Sequence, residues 1–161
     1  MIILVIGVSG SGKTTVGQLL AQSLGWEFRD ADEFHPKANI EKMSHGIPLN
    51  DADRMPWLQA MQSAIDRCLQ EDQNMVLTCS ALKEAYRQML LRDKDRVRLV
   101  YLKGSLELIK QRLEHRPHHY MKADMLQSQF DTLEEPQEAI IVDITQPPEV
   151  IVQQIKTSLG I

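Results

Sequence analysis

The chain has 161 residues, of which 25% are charged and 43% hydrophobic, and its formal net charge is −4. This length is typical of one domain, and the composition is that of a globular protein rather than a disordered one. The acidic balance argues against a non-specific nucleic-acid binder, which needs a basic surface, but it leaves small anionic ligands open.

Cysteines and apolar runs indicate the cellular setting. Cys68 and Cys79 are too far apart for a CxxC pair and too few for a disulfide framework, so we predict two reduced core residues. The apolar N-terminal run is short, and no stretch reaches the roughly 18 apolar residues of a membrane span. We therefore expect a cytoplasmic protein that contacts neither membranes nor nucleic acid.

Short apolar runs alternate along the chain with helical periodicities. The first, Ile2–Ile6, is continuous and β-branched, which is typical of a strand buried on both faces of a parallel sheet. Four more follow at 26–29, Met75–Cys79, 98–102 and 139–144. Between them, apolar residues recur on single helix faces, as at Val16, Leu20 and Leu24. This alternation predicts an α/β fold, a doubly wound three-layer sandwich around a parallel five-stranded sheet.

A complete phosphate-binding motif, GxxxxGK[ST], lies directly after the first predicted strand, at residues 7–14. Its glycines let successive backbone N–H groups point into one concavity, which holds phosphate oxygens together with the positive end of the following helix. In this motif Lys13 reaches the β- and γ-phosphates, and the Thr14 hydroxyl coordinates Mg²⁺. The predicted nucleotide-binding residues are Gly7, Val8, Ser9, Gly10, Ser11, Gly12, Lys13, Thr14 and Thr15.

The motif alone does not define the reaction. A GTPase switch would carry DxxG and NKxD motifs, and neither occurs; a motor ATPase would need a longer chain. A small-molecule phosphotransferase remains. The alternative from another class is a nucleotide-dependent binding or regulatory module without an acceptor.

Two carboxylates follow the second predicted strand. Asp30 and Asp32 are two residues apart, so they point to the same side if the strand continues through them. Ligands of open α/β sheets bind at the carboxyl ends of the strands, where these residues would meet the phosphate loop. We assign Asp30 to the metal and Asp32 to the acceptor hydroxyl, whose proton it would accept. The alternative is a pair of helix-capping or solvated acids.

Two pairs of cations occur at i,i+4 spacing. Lys83 and Arg87 follow the third strand and can face one pocket that suits a carboxylate or phosphate. Arg112 and Arg116 end a helix and, from a lid, would stabilise charge on the transferring phosphoryl group and exclude water. The alternatives are a solvated helix face for the first pair and helix-dipole partners for the second.

Polar insertions at about 35–56 and 116–136 interrupt the alternation. Long insertions of this kind are usually binding loops or lids. We therefore predict one kinase domain, 1–161, with an acceptor-binding insertion and a lid at these positions. In this fold the loop 145–148 after the last strand would receive the adenine.

Further sequence blocks extend along nearly the whole chain. They read DADEFHP from Asp30, NIEKM from Asn39, GIPLNDADR from Gly46, PWL from Pro56, CSALK from Cys79, YR from Tyr86, YLKG from Tyr101 and QFDTLEEP from Gln129. Together with the phosphate loop, these blocks resemble the gluconokinases of the phosphate-loop kinase type. The segment 35–57 is far more specific than the loop.

The resemblance implies the nucleoside/shikimate-kinase fold, a homodimer, and transfer of the ATP γ-phosphate to the 6-hydroxyl of D-gluconate. Another small-metabolite kinase on this fold, for shikimate or a nucleoside monophosphate, is the alternative. Gluconate is a carboxylate at one end of a polyol, so it needs cations at one end and mixed donors and acceptors along the chain. Candidates for the cations are Arg54, Lys83 and Arg87; candidates for the hydroxyl contacts are Asp32, His35 and Asn50.

Overall fold

The computed structural model describes residues 1–115 and 123–161. At its centre is an all-parallel sheet with strand order β2-β3-β1-β4-β5. Its strands are β1 (Ile2–Ile6), β2 (Glu27–Asp30), β3 (Met75–Cys79), β4 (Val97–Lys103) and β5 (Ile140–Asp143). The five predicted strands and the parallel sheet are therefore confirmed, with differences of one or two residues at some strand ends.

Helices cover both faces of the sheet. They are α1 (Lys13–Leu24), α2 (Lys37–Ser44), α3 (Asp51–Gln70), α4 (Glu84–Leu90), α5 (Leu106–Glu114), α6 (Ala123–Thr132) and α7 (Pro148–Leu159), and a short 3-10 helix spans Ala31–Phe34. Alternate residues of β1 pack into two separate cores. Leu4 and Ile6 join the core under α3 and α4, whereas Ile3 and Val5 join the core under α1, α5 and α7. A strand with two buried faces must be apolar at every position, which explains the continuous first run.

Both polar insertions contain helices where the structure describes them. The first forms α2 and the beginning of α3, and the second contains α6. Helix α3 begins at a capping box in which the Asn50 side chain accepts from the Asp53 N–H and Asp53 accepts from the Asn50 N–H. It then continues through Pro56. The first insertion is thus built largely on helices rather than on one long loop.

The cysteines lie in the core as predicted. Cys68 on α3 and Cys79 at the end of β3 are both free thiols and both buried. Burial raises the pKa of Cys79 to about 12, so this thiol stays protonated at neutral pH. Within the described residues, no helix combines the length and the apolarity needed to cross a membrane.

Candidate active site

The phosphate loop connects the end of β1 to the start of α1. Gly12 is the N-cap of α1 with φ 94°, and Gly10 has φ 82°, both in the left-handed region. A Cβ on Gly10 would also lie 2.7 Å from Leu113 Cδ2 on α5. Backbone conformation therefore requires both glycines, and close packing also requires Gly10; Gly12 is a fixed glycine of the motif, whereas Gly10 occupies one of its variable positions.

Side chains of the loop divide between the pocket and the core. Lys13 lies in the pocket wall, its Nζ donates to the Val8 carbonyl at 3.1 Å, and burial lowers the pKa of its ammonium. Val8 and Ser11 are buried, and the Ser11 hydroxyl has no hydrogen-bond partner among the described residues. Val8 and Ser11 can therefore meet a nucleotide through their backbone only.

The phosphate loop faces a pocket of about 240 Å³ that also contains both predicted aspartates. It is lined by Ser9, Gly10, Gly12, Lys13, Thr14, Thr15, Asp30, Ala31, Asp32, Trp57, Thr78, Cys79 and Ser80. These residues come from the carboxyl ends of β1, β2 and β3, and Trp57 comes from α3. The structure thus brings together the nucleotide loop and the two carboxylates that the sequence assigned to the reaction.

Asp30 is held by three donors. It caps the 3-10 helix, where its Oδ1 accepts from the Asp32 N–H at 2.9 Å. Its Oδ2 accepts from Thr78 Oγ1 at 3.0 Å and from Thr14 Oγ1 at 3.3 Å. The two residues assigned to the metal, Thr14 and Asp30, are therefore neighbours.

Asp32 reaches the same pocket in a different way from the one expected. Strand β2 ends at Asp30, and Asp32 lies on the 3-10 helix, so the alternation of a continuing strand does not apply. Desolvation raises the pKa of the Asp32 carboxyl, and the Asp30 charge raises it further, while His35 and Lys13 act in the opposite direction. A carboxylate with a raised pKa next to a phosphate loop suits proton acceptance from a hydroxyl.

His35 begins the first insertion, three residues after Asp32. Its ring stacks on Trp57, with centroids 4.5 Å apart and an interplanar angle of 9°. The Trp57 indole N–H donates to the Ala31 carbonyl at 2.7 Å, which fixes the ring below His35. Partial burial lowers the pKa of His35, and the Arg54 charge lowers it further, so the imidazole is neutral near pH 7.

Four side chains at the start of α3 and α4 form what we call the carboxylate cluster: Asp51, Arg54, Lys83 and Tyr86. The Tyr86 hydroxyl donates to Asp51 Oδ1, and Lys83 Nζ approaches the same oxygen at 3.3 Å. Arg54 Nη1 donates to the Tyr86 oxygen at 3.2 Å. The Tyr86 ring also lies against both cations, 5.8 Å from Arg54 Cζ and 5.4 Å from Lys83 Nζ.

Arg87 does not join Lys83 in this cluster, which contradicts the prediction that both face one pocket as substrate ligands. Its side chain is 1% exposed. Its guanidinium donates to the carbonyls of Ala81, Leu82 and Glu134 and to the carboxylate of Glu84, at 2.5–3.0 Å. Lys83 is the N-cap of α4 rather than a residue of the helix face. Arg87 therefore ties α4 to the chain after α6.

The predicted lid arginines have separate outcomes. Arg112 lies in the last turn of α5 and donates to the Ile144 carbonyl at the end of β5. This contact places it beside the loop 145–148, where adenine is expected. Arg116 lies outside the described residues. Asn50 is present as predicted in the first insertion, but its side-chain oxygen caps α3.

Sequence reasoning missed four residues that support the site. Asp51 and Tyr86 complete the carboxylate cluster, Asn39 contacts His35, and Gln129 contacts the phosphate loop. All four lie in the blocks that carry the family resemblance, and that was the one available signal. Spacing gave none for Asp51, Tyr86 and Gln129, whose contacts join distant parts of the chain. Asn39 is four residues after His35, but His35 lies outside α2, so no helical pattern marked the pair.

Comparisons with known proteins agree with this geometry. The profile of the shikimate kinase family matches residues 9–159. The chain is 45% identical to a probable gluconokinase of Xenopus tropicalis, over 97% of this chain and 92% of that protein. It is 43% identical to the thermoresistant gluconokinase of Escherichia coli K12, over 94% and 89%. The crystal structure of a gluconokinase from Sinorhizobium meliloti 1021 matches with a TM-score of 0.88 at 41% identity, covering 98% of this chain and 90% of that chain.

Proposed function

Because this chain belongs to the shikimate kinase family, and within it to the gluconokinases, we propose that it transfers the γ-phosphate of ATP to the 6-hydroxyl of D-gluconate. The products are 6-phospho-D-gluconate and ADP. The observation that carries the proposal is a series of neighbouring polar groups that begins at the phosphate loop. Lys13 and Asp32 lie in one pocket, Asp32 and His35 influence each other's pKa, and Arg54 lowers the pKa of His35.

The carboxylate cluster supports the orientation of the acceptor. Lys83 and Tyr86 already contact a carboxylate, that of Asp51, and Arg54 contacts the Tyr86 hydroxyl beside it. A gluconate carboxylate offers the same two oxygens and the same charge, so we propose that it displaces Asp51 and binds Arg54, Lys83 and Tyr86. The polyol then extends past His35 and Asn50 towards the phosphate loop.

Asp32 is the proposed base at the other end of the acceptor. It accepts the proton of the 6-hydroxyl as the oxygen attacks the γ-phosphorus, and ADP leaves with the electron pair of the broken P–O bond. Lys13 and the backbone N–H groups of the loop stabilise the negative charge on the transferring group. Arg112 and Arg116 remain candidates for closing the site over the nucleotide.

Thr14 and Asp30 fit the magnesium ion that phosphate-loop kinases use. A hydroxyl and a carboxylate are hard oxygen ligands, and Mg²⁺ takes one or two such groups together with waters and phosphate oxygens. Asp30 Oδ2 and Thr14 Oγ1 lie 3.3 Å apart, so both can serve one ion directly or through water. When bound there, Mg²⁺ would neutralise charge on the β- and γ-phosphates.

Three further parts of the proposal rest on the length of the chain, on its free cysteines and, for the dimer, on the family resemblance alone. We propose that the chain acts as one kinase domain over residues 1–161. We also propose that it forms a homodimer and that it works in the cytoplasm on gluconate.

A coupled ADP-release assay tests the proposal. Gluconate, shikimate and nucleoside monophosphates are offered in turn with ATP and Mg²⁺, and the phosphorylated position is read by NMR of the product. We expect turnover with gluconate and phosphate on its terminal hydroxyl. Turnover of shikimate but not of gluconate would show that the proposed substrate is wrong. ATP hydrolysis that no acceptor accelerates, and that Asp32→Asn leaves unchanged, would favour a regulatory module instead.

Two variants test the proposed roles in the same assay. Lys13→Ala removes the phosphate-binding ammonium, and Asp32→Asn removes the base. Each should abolish gluconate-stimulated ADP release while leaving the far-UV circular dichroism of the folded protein unchanged.

A further inference from the structure

Asn39 is a buried polar residue within an otherwise exposed insertion. It lies on α2 and is 3% exposed, whereas most residues of α2 are open to solvent. A buried amide needs hydrogen-bond partners, because leaving its polar groups unpaired away from water destabilises the folded protein. Its partners therefore indicate why an asparagine is placed there.

The Asn39 amide nitrogen makes two contacts. Nδ2 lies 2.8 Å from the backbone carbonyl oxygen of Asp53 on α3 and 3.2 Å from Nδ1 of His35. A carbonyl oxygen only accepts, so the amide must present its NH₂ to Asp53; the reverse orientation would bring two acceptor oxygens together. The second N–H of the same group then points to the His35 ring.

This contact fixes the proton on His35. An NH₂ group only donates, so His35 Nδ1 must accept with its lone pair and cannot itself carry a proton. A neutral imidazole whose Nδ1 accepts carries its hydrogen on Nε2. An imidazolium would direct an Nδ1–H at the Asn39 N–H, which disfavours protonation.

The other groups around the ring agree with a neutral imidazole. Trp57 holds the ring plane by stacking. Of the charged neighbours, Arg54 opposes protonation of His35 and Asp32 favours it. Asn39, like Arg54, therefore opposes protonation of His35.

We propose that Asn39 is a positioning residue that holds His35 as the Nε2–H tautomer, so that His35 donates a hydrogen bond to an acceptor hydroxyl oxygen and leaves proton acceptance to Asp32. The donation to the acceptor rests on the proposed function. The tautomer does not, since it follows from contacts within the protein. Asn39 also joins α2 to α3 through the carbonyl of Asp53, the residue before Arg54, and so holds the His35 segment against the start of α3.

The tautomer can be read directly in the substrate-free protein. Nitrogen-15 NMR of histidine-labelled protein at neutral pH, with His35 assigned through His35→Gln, separates a protonated ring nitrogen from a bare one. We expect a protonated Nε2 and a bare Nδ1. An Nδ1–H tautomer or an imidazolium would overturn the proposal, whatever the substrate proves to be.

Substitution of Asn39 then tests whether the tautomer of His35 matters for binding the acceptor. Asn39→Asp replaces the donor by an acceptor of the same shape, so Nδ1 of His35 takes a proton and the pKa of the ring rises. We expect a roughly ten-fold higher KM for gluconate, equivalent to about 1.4 kcal/mol, with the KM for ATP unchanged. The acid limb of the pH profile should move to higher pH. Asn39→Leu should raise the same KM but move that limb less, because it removes the donor without adding an acceptor.

Asn74→Asp is the matched control, because it adds the same charge at the amino end of β3, where the Asn74 side chain accepts from the N-terminus. It should leave both KM values and the pH profile unchanged. Equal losses in Asn39→Asp and Asn39→Leu, with the wild-type pH profile in both, would reduce Asn39 to a structural link and overturn its positioning role. Wild-type protein with the expected tautomer but no turnover of gluconate would instead refute the proposed function.

Discussion

The side-chain amide of Gln129 makes two hydrogen bonds to Ser9 and so joins α6 to the phosphate loop. Gln129 Oε1 accepts from the Ser9 N–H at 2.8 Å, and Gln129 Nε2 donates to the Ser9 hydroxyl at 3.1 Å. Ser9 belongs to the loop that cradles phosphate, and Gln129 belongs to the second insertion. The phosphate loop and the described part of the second insertion are therefore in direct contact.

Loss of this contact should weaken nucleotide binding. We expect Gln129→Ala to raise the KM for ATP about two- to ten-fold, the equivalent of one ordinary hydrogen bond, with a smaller change in the KM for gluconate. Gln129→Glu should raise it more, because the added charge lies beside the phosphate site. Gln127→Ala on the exposed face of the same helix is the control and should behave as wild type in steady-state kinetics. An unchanged KM for ATP in Gln129→Ala would contradict the role of the contact.

Substitutions of Lys83 and Arg87 should affect different properties: Lys83 the binding of gluconate, and Arg87 the stability of the fold. Arg87→Met removes the donors of three backbone carbonyls, so we expect a loss of about 2–4 kcal/mol in the free energy of unfolding, measured in urea. At temperatures where it is folded, this variant should keep the wild-type KM for gluconate. Lys83→Met should do the reverse and raise the KM for gluconate on the order of ten-fold with little change in the urea midpoint.

Arg87→Lys provides a second test if Arg87→Met does not fold. A lysine keeps the charge but cannot reach all of the acceptors, so an intermediate stability is expected. A stable Arg87→Met protein that binds gluconate poorly would restore the role that the sequence predicted for Arg87.

The strands and the phosphate loop were predictable because their determinants are local. A strand buried on both faces is apolar throughout, as in Ile2–Ile6, and the conformation of the loop is specified by Gly10 and Gly12. The carboxyl-end rule for parallel sheets then placed Asp30 and Asp32 beside the loop, although Asp32 reaches it from a 3-10 helix.

The remaining site depends on contacts that spacing does not encode. The i,i+4 interval between Lys83 and Arg87 places them on neighbouring turns if both are helical, but it does not tell which one turns inward. Arg87 does so because Ala81 and the distant Glu134 offer it carbonyls. The helices of the first insertion were missed because its length and polar composition are typical of a binding loop, whereas the Asn50 capping box begins a helix that continues through Pro56.

Asp51 should behave as an internal competitor of the acceptor. Asp51→Asn keeps the size of the side chain and removes the negative charge that Lys83 and Tyr86 now contact. We expect the KM for gluconate to fall several-fold while the KM for ATP is unchanged, because the cluster is then free to bind the substrate carboxylate. Asp66→Asn on the same helix, which breaks only an ion pair with Arg92, is the control. A higher KM for gluconate in Asp51→Asn would show that Asp51 assists binding.

Asp32 should oppose folding at neutral pH. Its pKa is raised above the ordinary 3.8, so the ionised carboxylate destabilises the folded state above the raised pKa, and this effect disappears as the pH falls below the ordinary value. We expect Asp32→Asn to raise the Tm slightly at neutral pH, with the difference vanishing in acid, while the same variant should lose its activity. Thermal melts across the acid range measure this.

Asp143 provides a control, because its pKa is shifted in the opposite direction from that of Asp32. The Thr145 N–H lowers the pKa of Asp143, so its carboxylate stabilises the folded state at neutral pH and loses that effect as the pH falls through the lowered pKa. Asp143→Asn should therefore lower the Tm at neutral pH. A lower Tm in Asp32→Asn as well would contradict the assigned direction for Asp32.

Gly17 should couple helix packing to the proposed magnesium site. It is buried on α1, where a Cβ would lie 2.5 Å from Thr78 Cγ2 and 2.9 Å from Phe28 Cε2. Thr78 also donates to Asp30, so a displaced Thr78 would disturb that carboxylate. We expect Gly17→Ala to lower the free energy of unfolding by about 1–3 kcal/mol, despite the better helix propensity of alanine, and to raise the Mg²⁺ concentration needed for half-maximal activity.

A double variant isolates the cause. Thr78→Ser removes the methyl group nearest to the new Cβ but keeps the hydroxyl that donates to Asp30, so adding it to Gly17→Ala should restore part of the stability and the Mg²⁺ dependence. Gln18→Ala, at the next and exposed position of α1, should stay within about 0.5 kcal/mol of wild type in urea. A Gly17→Ala protein as stable as wild type would show that α1 can move away from β3, and the double variant would then gain nothing.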